Sequence, residues 1–210
     1  MSEASAQIRI LTVDDHAVVR EGIAILVATQ PDMTLVGEAA NGREAIQQFR
    51  IHRPDVTLMD LQMPEMGGFD AIVAIRGEFS DAKIVVLTTY KGDVQILRAL
   101  KAGAHGYLLK STFHKELIET IRAVHAGKKT VSPEVSIEIA EHATDDILTP
   151  AEINVLRLIA AGNANKQIAD QLSISEETVK SRVKSILSKL GANDRTHAAM
   201  IGLKRGIIEL

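Results

Sequence analysis

The 210 residues contain no cysteine. That excludes disulfides, thiolate zinc sites and cysteine nucleophiles, and it suits a reducing compartment. No apolar run approaches the ~20 residues needed to cross a bilayer. The opening stretch, MSEASAQ, is polar and acidic, unlike a secretory signal. These absences point to a cytoplasmic protein without a membrane partner. Internal repeats and low-complexity tracts are missing as well. What remains is ordinary for a globular chain, with 46% hydrophobic and 24% charged residues. The length suits two domains better than one. The net charge of -3 conceals an asymmetry. Residues 1–146 hold 15 basic and 21 acidic side chains, whereas residues 147–210 hold 9 basic and 6 acidic. An acidic front and a mildly basic rear suggest two tasks, the rear one on a polyanion.

Strand and helix signals alternate from Ile8 onward. IRILTV, TLVGEA, VTLM, KIVVLTT and GYLLK are short apolar runs that read as strands. Between them lie helical patterns, such as HAVVREGIAILVAT with Val18, Val19, Ile23, Leu26 and Val27 on one face. Asn41 is a good N-cap for the second helix, and Gly103 closes the fourth. Five βα units imply a parallel sheet covered on both faces, with its strand C-termini on one edge. Asp14, Asp15, Asp60, Thr88 and Lys110 stand at that edge. After Gly127 the pattern breaks. Ser132 as N-cap and Pro133 at the first helical position start a short helix, or else the stretch 128–146 is a plain linker. From Thr149 the chain reads as all-α, opening on a capping box formed by Thr149 and Glu152 with Pro150 between.

Like charges ~4 Å apart repel by about 4 kcal/mol at an effective dielectric of 20. A divalent cation relieves this, and magnesium suits carboxylate oxygens completed by water and phosphate. With Lys110 and Thr88 alongside, these are the parts needed to transfer a phosphoryl group to an aspartate. The alternative is that each residue merely ends its strand. VDDH, LMDLQMP, LTT and GYLLK, in this order at alternate strand ends, resemble the receiver domain of two-component response regulators over residues 7–126. The resemblance implies that Asp60 is the phosphoacceptor. It implies that Asp14, Asp15, Asp60 and the main-chain carbonyl of Gln62 bind Mg2+, and that Thr88 and Lys110 contact the phosphoryl oxygens. Tyr107 would be an aromatic switch that turns inward as Thr88 moves; its other reading is core packing. Many receivers follow this lysine with proline in a cis peptide, whereas here Ser111 follows, so the geometry of that bond is left open. On the residues alone, Met63 and Pro64 stiffen the loop after Asp60, and Gly67 and Gly68 let it turn sharply.

In the rear, NKQIADQLSISEETVKSRVKSILSKLG holds two helical patterns divided by SIS. Ser175 caps the second, and Glu176 and Glu177 suit the positive end of its dipole. Val179, Val183, Ile186, Leu187 and Leu190 form its apolar face; Lys180, Ser181 and Lys184 lie opposite. This is the logic of a helix-turn-helix, with a solvated amphipathic helix as the alternative. LTPAEINVLRLIAAG, NKQIA, SISEETVKSRV, ILSKLG and NDRTHAA resemble the LuxR-type helix-turn-helix over residues 148–210. That implies Lys180, Ser181 and Lys184 at base edges of double-stranded DNA. It implies Asn165, Lys166, Thr178 and Lys189 at phosphates, and dimer contacts on the last helix. Arg182 stands where the family usually has histidine, which puts the base preference beside it in doubt.

The expected architecture is therefore a (βα)5 flavodoxin-like receiver at 1–127, a linker at 128–146 and a four-helix helix-turn-helix domain at 147–210. The resemblance as a whole is to NarL-type response regulators. It implies transcription control by phosphorylation, with a sensor histidine kinase as donor and a homodimer as the phosphorylated form, and no turnover of a separate substrate. An aspartate-nucleophile phosphatase resembles Asp-x-Asp, but residue 62 is Gln. A flavin-binding protein needs a Gly/Ser/Thr-rich loop after the first strand, where this chain reads DDHAVV. An interaction module without DNA binding is the third alternative.

Overall fold

The computed structural model describes residues 7–89, 92–111, 113–142 and 146–208. The polar start MSEASA and residues 143–145 of the expected linker lie outside them. The chain divides into two compact units, one of residues 1–89 and 96–136 and one of residues 90–95 and 137–210.

The first unit is built on a parallel sheet. Its strands are β1 (Ile8–Val13), β2 (Met33–Ala39), β3 (Val56–Asp60), β4 (Ile84–Thr88), β5 (Gly106–Leu109) and β6 (Thr130–Val131), in the order β2-β1-β3-β4-β5-β6. Along the chain up to Glu141 the helices are α1 (Ala17–Ala28), α2 (Gly42–His52), α3 (Gly68–Glu78), α4 (Asp93–Lys101), α5 (Phe113–His125) and α6 (Pro133–Glu141), with Asp93–Gln95 of α4 and Ile137–Glu141 of α6 counted in the second unit. β3, β4 and β5 are buried at every position, as strands covered on both faces must be. Period-two alternation sorts their side chains. Ile10, Leu58, Val85, Leu87 and Leu108 join Ile23 and Val27 of α1 and Leu117, Ile121 and Val124 of α5 in one core. The chain leaves β1 on one side for β2 and returns on the other for β3. The C-terminal ends of β1 and β3 therefore flank a switch point, where open sheets leave a crevice.

Two points that the sequence left open are decided here. The stretch after Gly127 is not a plain linker, because Thr130 and Val131 pair with Gly106 and Tyr107 as a sixth strand. A strand of two residues is too short to show a period, so nothing in the sequence marked it. The short helix that Ser132 and Pro133 suggested does form, as α6. The peptide bonds described contain no cis isomer, so Lys110–Ser111 is trans.

The second unit is helical, with α7 (Pro150–Ala160), α8 (Asn165–Leu172), α9 (Glu176–Leu190) and α10 (Arg195–Lys204). The starts of α7, α9 and α10 each follow from a side-chain cap. Thr149 and Glu152 form the expected box around α7. Ser175 accepts from the Thr178 N–H at α9, and Asp194 from the His197 N–H at α10. Gly191 ends α9 at φ 59, a left-handed conformation that favours glycine. Val155, Leu156, Ile168, Val179, Ile186 and Ala198 make the core. Among the described residues, no helix is long and apolar enough to cross a membrane.

Candidate functional site

Asp60 is the last residue of β3 and only 4% exposed; Asp14, just past β1, is 1% exposed. Their strands are neighbours, so the two carboxylates meet at the switch point. Lys110 follows β5, and its side chain crosses β4 to reach both. Its Nζ lies 2.6 Å from Asp14 Oδ2 and 2.7 Å from Asp60 Oδ2. Burial pushes the Asp60 carboxyl above the usual range. Lys110 opposes the rise and Asp14 adds to it. Burial by itself would lower Lys110, but its bonds to the two carboxylates outweigh this and hold it above its ordinary value. The result is a buried nucleophile candidate held against a fixed ammonium.

The loop after Asp60 is built differently from the sequence reading. Gly67 has an ordinary φ of -69 as the cap of α3, and the left-handed residue is Glu65 at φ 63. Gly68 is required for another reason, since a Cβ there would collide with the Asp60 carbonyl oxygen. The Gly68 N–H donates to Leu61 O at 2.9 Å and the Gly42 N–H to Met66 O at 2.9 Å, which pins the loop at both ends. The Gln62 N–H points to Asp60 Oδ1 at 3.4 Å.

Thr88 is 1% exposed and Tyr107 is fully buried. Val86 pairs with Tyr107 and Thr88 with Leu109, whereas Asp60 pairs with Leu87. Alternation along β4 therefore puts Thr88 on the Tyr107 face of the sheet and Leu87 on the Asp60 face. Burial raises the Tyr107 phenol, a hydrogen bond with Thr88 pulls it down, and the Asp60 charge raises it further. The aromatic ring expected to turn inward is thus already inside, tied to Thr88.

One residue escaped the sequence reading. His16 Nδ1 lies 2.8 Å from Asp15 Oδ1 and 3.2 Å from Asp14 Oδ1. Its backbone N–H also donates to Asp14 Oδ1, at 3.0 Å. One ligand atom each from Asp14, Asp15, His16 and Asp60 falls within 4.8 Å of the others. The signal was its place in VDDH, directly after the acids. Carboxylate oxygens clustered this closely, with Asp14 and Asp60 buried and Asp15 exposed, fit a small hard dication.

In the helical unit, Lys180, Ser181 and Lys184 are exposed along α9, and Lys166 is exposed on α8; Asn165 and Thr178 are half-buried. Lys180 Nζ lies 3.7 Å from Glu176 and 3.9 Å from Glu177, in solvent-exposed pairs that salt screens. Lys189 is placed differently from these. Its ammonium donates to Glu152 Oε2 at 2.9 Å and to Ile147 O at 3.2 Å. Glu152 also accepts from Ser185 Oγ at 2.7 Å and from the Thr149 N–H at 2.7 Å. The first turn of α7 therefore grips α9 through residues one turn apart.

Comparison with known proteins follows the same division. Residues 10–122 match the response regulator receiver domain, and residues 146–201 match the luxR family of bacterial regulatory proteins. The chain is a response regulator of the NarL/LuxR family. It is 41% identical over 210 residues to the transcriptional regulatory protein YdfI of Bacillus subtilis (strain 168), covering 96% of this chain and 98% of that one. It is 37% identical over 207 residues to the response regulator protein VraR of Staphylococcus aureus (strain Mu3 / ATCC 700698), covering 96% and 99%. Among solved structures, it is similar to the two-component response regulator RcsB in its complex with DNA. There the TM-score is 0.73 with 27% identity, and 94% of this chain and 98% of that one are covered. In this response regulator the receiver match spans the Asp14–Asp60–Lys110 cluster, and the LuxR match spans α7 to α9 and most of α10.

Proposed function

We propose that this response regulator is switched by phosphorylation of Asp60 and acts on transcription by binding double-stranded DNA. The observation that carries the reading is the convergence of Lys110 on Asp60 and Asp14 at the switch-point edge. An Asp60 oxygen attacks the phosphorus of a sensor kinase's phosphohistidine. The O–P bond forms as the N–P bond breaks, and the imidazole leaves with its electron pair. Lys110, bonded to Asp60, meets the equatorial oxygens as they gather charge, and Thr88 supplies a hydroxyl donor. Magnesium, held by Asp14, Asp15, Asp60 and the Gln62 carbonyl, supplies further positive charge to the phosphoryl oxygens when bound. No separate substrate is turned over.

The aspartyl phosphate draws Thr88 toward it. Tyr107 follows through its hydrogen bond with Thr88, and the surface of β4, α4 and β5 changes shape. That change favours a homodimer, so that two α9 helices meet two half-sites about one helical turn apart. Lys180, Ser181 and Lys184 face base edges, while Asn165, Lys166 and Thr178 touch phosphates. Lys189 is left to Glu152. The protein works in the cytoplasm, where both the kinase's phosphoryl domain and DNA are met.

Intact-mass spectrometry with a small acyl phosphate and magnesium tests the first step. One phosphoryl group is expected on the native chain and none on Asp60→Asn. Equal labelling of the two refutes Asp60 as the acceptor. Analytical ultracentrifugation and DNA titration of the phosphorylated chain test the second step. An unchanged oligomeric state together with unchanged DNA affinity refutes the switch.

A further inference from the structure

We infer that His16 is a metal-selecting residue of the acidic pocket, recruited as a nitrogen ligand by zinc-like dications and left outside by magnesium. The inference rests on the reading of Asp14, Asp15 and Asp60 as a metal site. Its basis is geometric. Donors ~2.1 Å from one ion stand ~3.0 Å apart on an octahedral edge and ~3.4 Å apart on a tetrahedral one. His16 Nδ1 lies 2.8 Å and 3.2 Å from its two carboxylate oxygens, close to both spacings. The second Asp14 oxygen, Oδ2, faces Lys110, so Oδ1 is the oxygen turned toward His16. The imidazole thus sits on the same side of Asp14 as Asp15 does.

The chemistry of the donors then separates the ions. Magnesium prefers oxygen, demands an octahedron and keeps several of its waters. It has no need of an imidazole that is 66% exposed and replaceable by solvent. Zinc forms four-coordinate sites from histidine nitrogen and carboxylate oxygen alike. Asp14, Asp15, Asp60 and His16 supply four such donors within 4.8 Å of one another. An imidazole raises affinity for zinc, nickel or copper far more than for magnesium. A zinc-filled shell of this kind also leaves fewer positions for phosphoryl oxygens, so zinc would compete with the activating ion at its own site.

His16 can be changed without dismantling α1. It occupies the N-cap position, but its side chain makes no capping hydrogen bond there. The test is isothermal titration calorimetry of the full chain with Mg2+ and, separately, with Zn2+. The wild type is compared with His16→Ala, His16→Asn and Asp14→Asn. His16→Ala and His16→Asn should each lower zinc affinity about tenfold or more and leave magnesium affinity within about twofold. Asp14→Asn should weaken both ions. An equal loss of both ions in the His16 variants, or no loss of zinc, overturns the selecting role. If Asp14→Asn changes neither ion, the metal site itself is refuted, and the proposal about His16 falls with it.

Discussion

Replacing Glu152 by glutamine isolates one charge that holds α9. Glu152 is 6% exposed. Burial works against its ionisation. Hydrogen bonds from Ser185, the Thr149 N–H, Lys189 and the Thr149 hydroxyl more than offset this and bring its pKa down from 4.5 to about 2. Each tenfold change in proton affinity corresponds to about 1.4 kcal/mol, so the full difference is about 3 kcal/mol. Nearby water screens the pair, which reduces the share expressed as stability to about 1–2 kcal/mol. The folded state lowers this pKa. Its contribution is therefore complete above pH 4.5 and disappears as pH falls toward 2, with roughly half gone by pH 3. Native-state hydrogen exchange of the intact chain, read by mass spectrometry on α9 peptides, measures it. Glu152→Gln should reduce protection about 5- to 30-fold at pH 7 and clearly less at pH 3. An equal reduction at both pH values would mean that shape, not charge, was lost. No reduction at pH 7 would refute the argument.

Three other substitutions have defined outcomes. Gly68→Ala places a methyl group against the Asp60 carbonyl. It should destabilise the chain by about 1–3 kcal/mol in urea unfolding and slow acyl-phosphate labelling of Asp60; unchanged behaviour in both would contradict the close approach. In DNA titrations, Lys166→Ala should weaken all sequences alike and flatten the salt dependence. Lys184→Ala should relax preference at one base position at a loss of about 1–3 kcal/mol on the best site, and a uniform loss would remove it from base reading.

Much of this protein was set by local order. Five apolar runs bounded by turns suffice to define β1 to β5, because a strand buried on both faces must be apolar throughout. The acids and the lysine come directly after such runs, so their place at one sheet edge was legible without coordinates. The caps Asn41, Thr149 and Ser175 were equally plain, since each hydrogen bond spans only three residues. Packing decided the rest. β6 and the left-handed Glu65 are too short or too local in context to leave a period. Lys189 looks like any exposed lysine in the sequence, yet Glu152, distant along the chain, takes its ammonium. His16 is written beside two aspartates, but only the turn after β1 directs its ring to their oxygens. That Lys110 reaches across β4 to join β1 and β3 depends on strand order. Pairing of distant strands fixes that order, and no single run of residues encodes it.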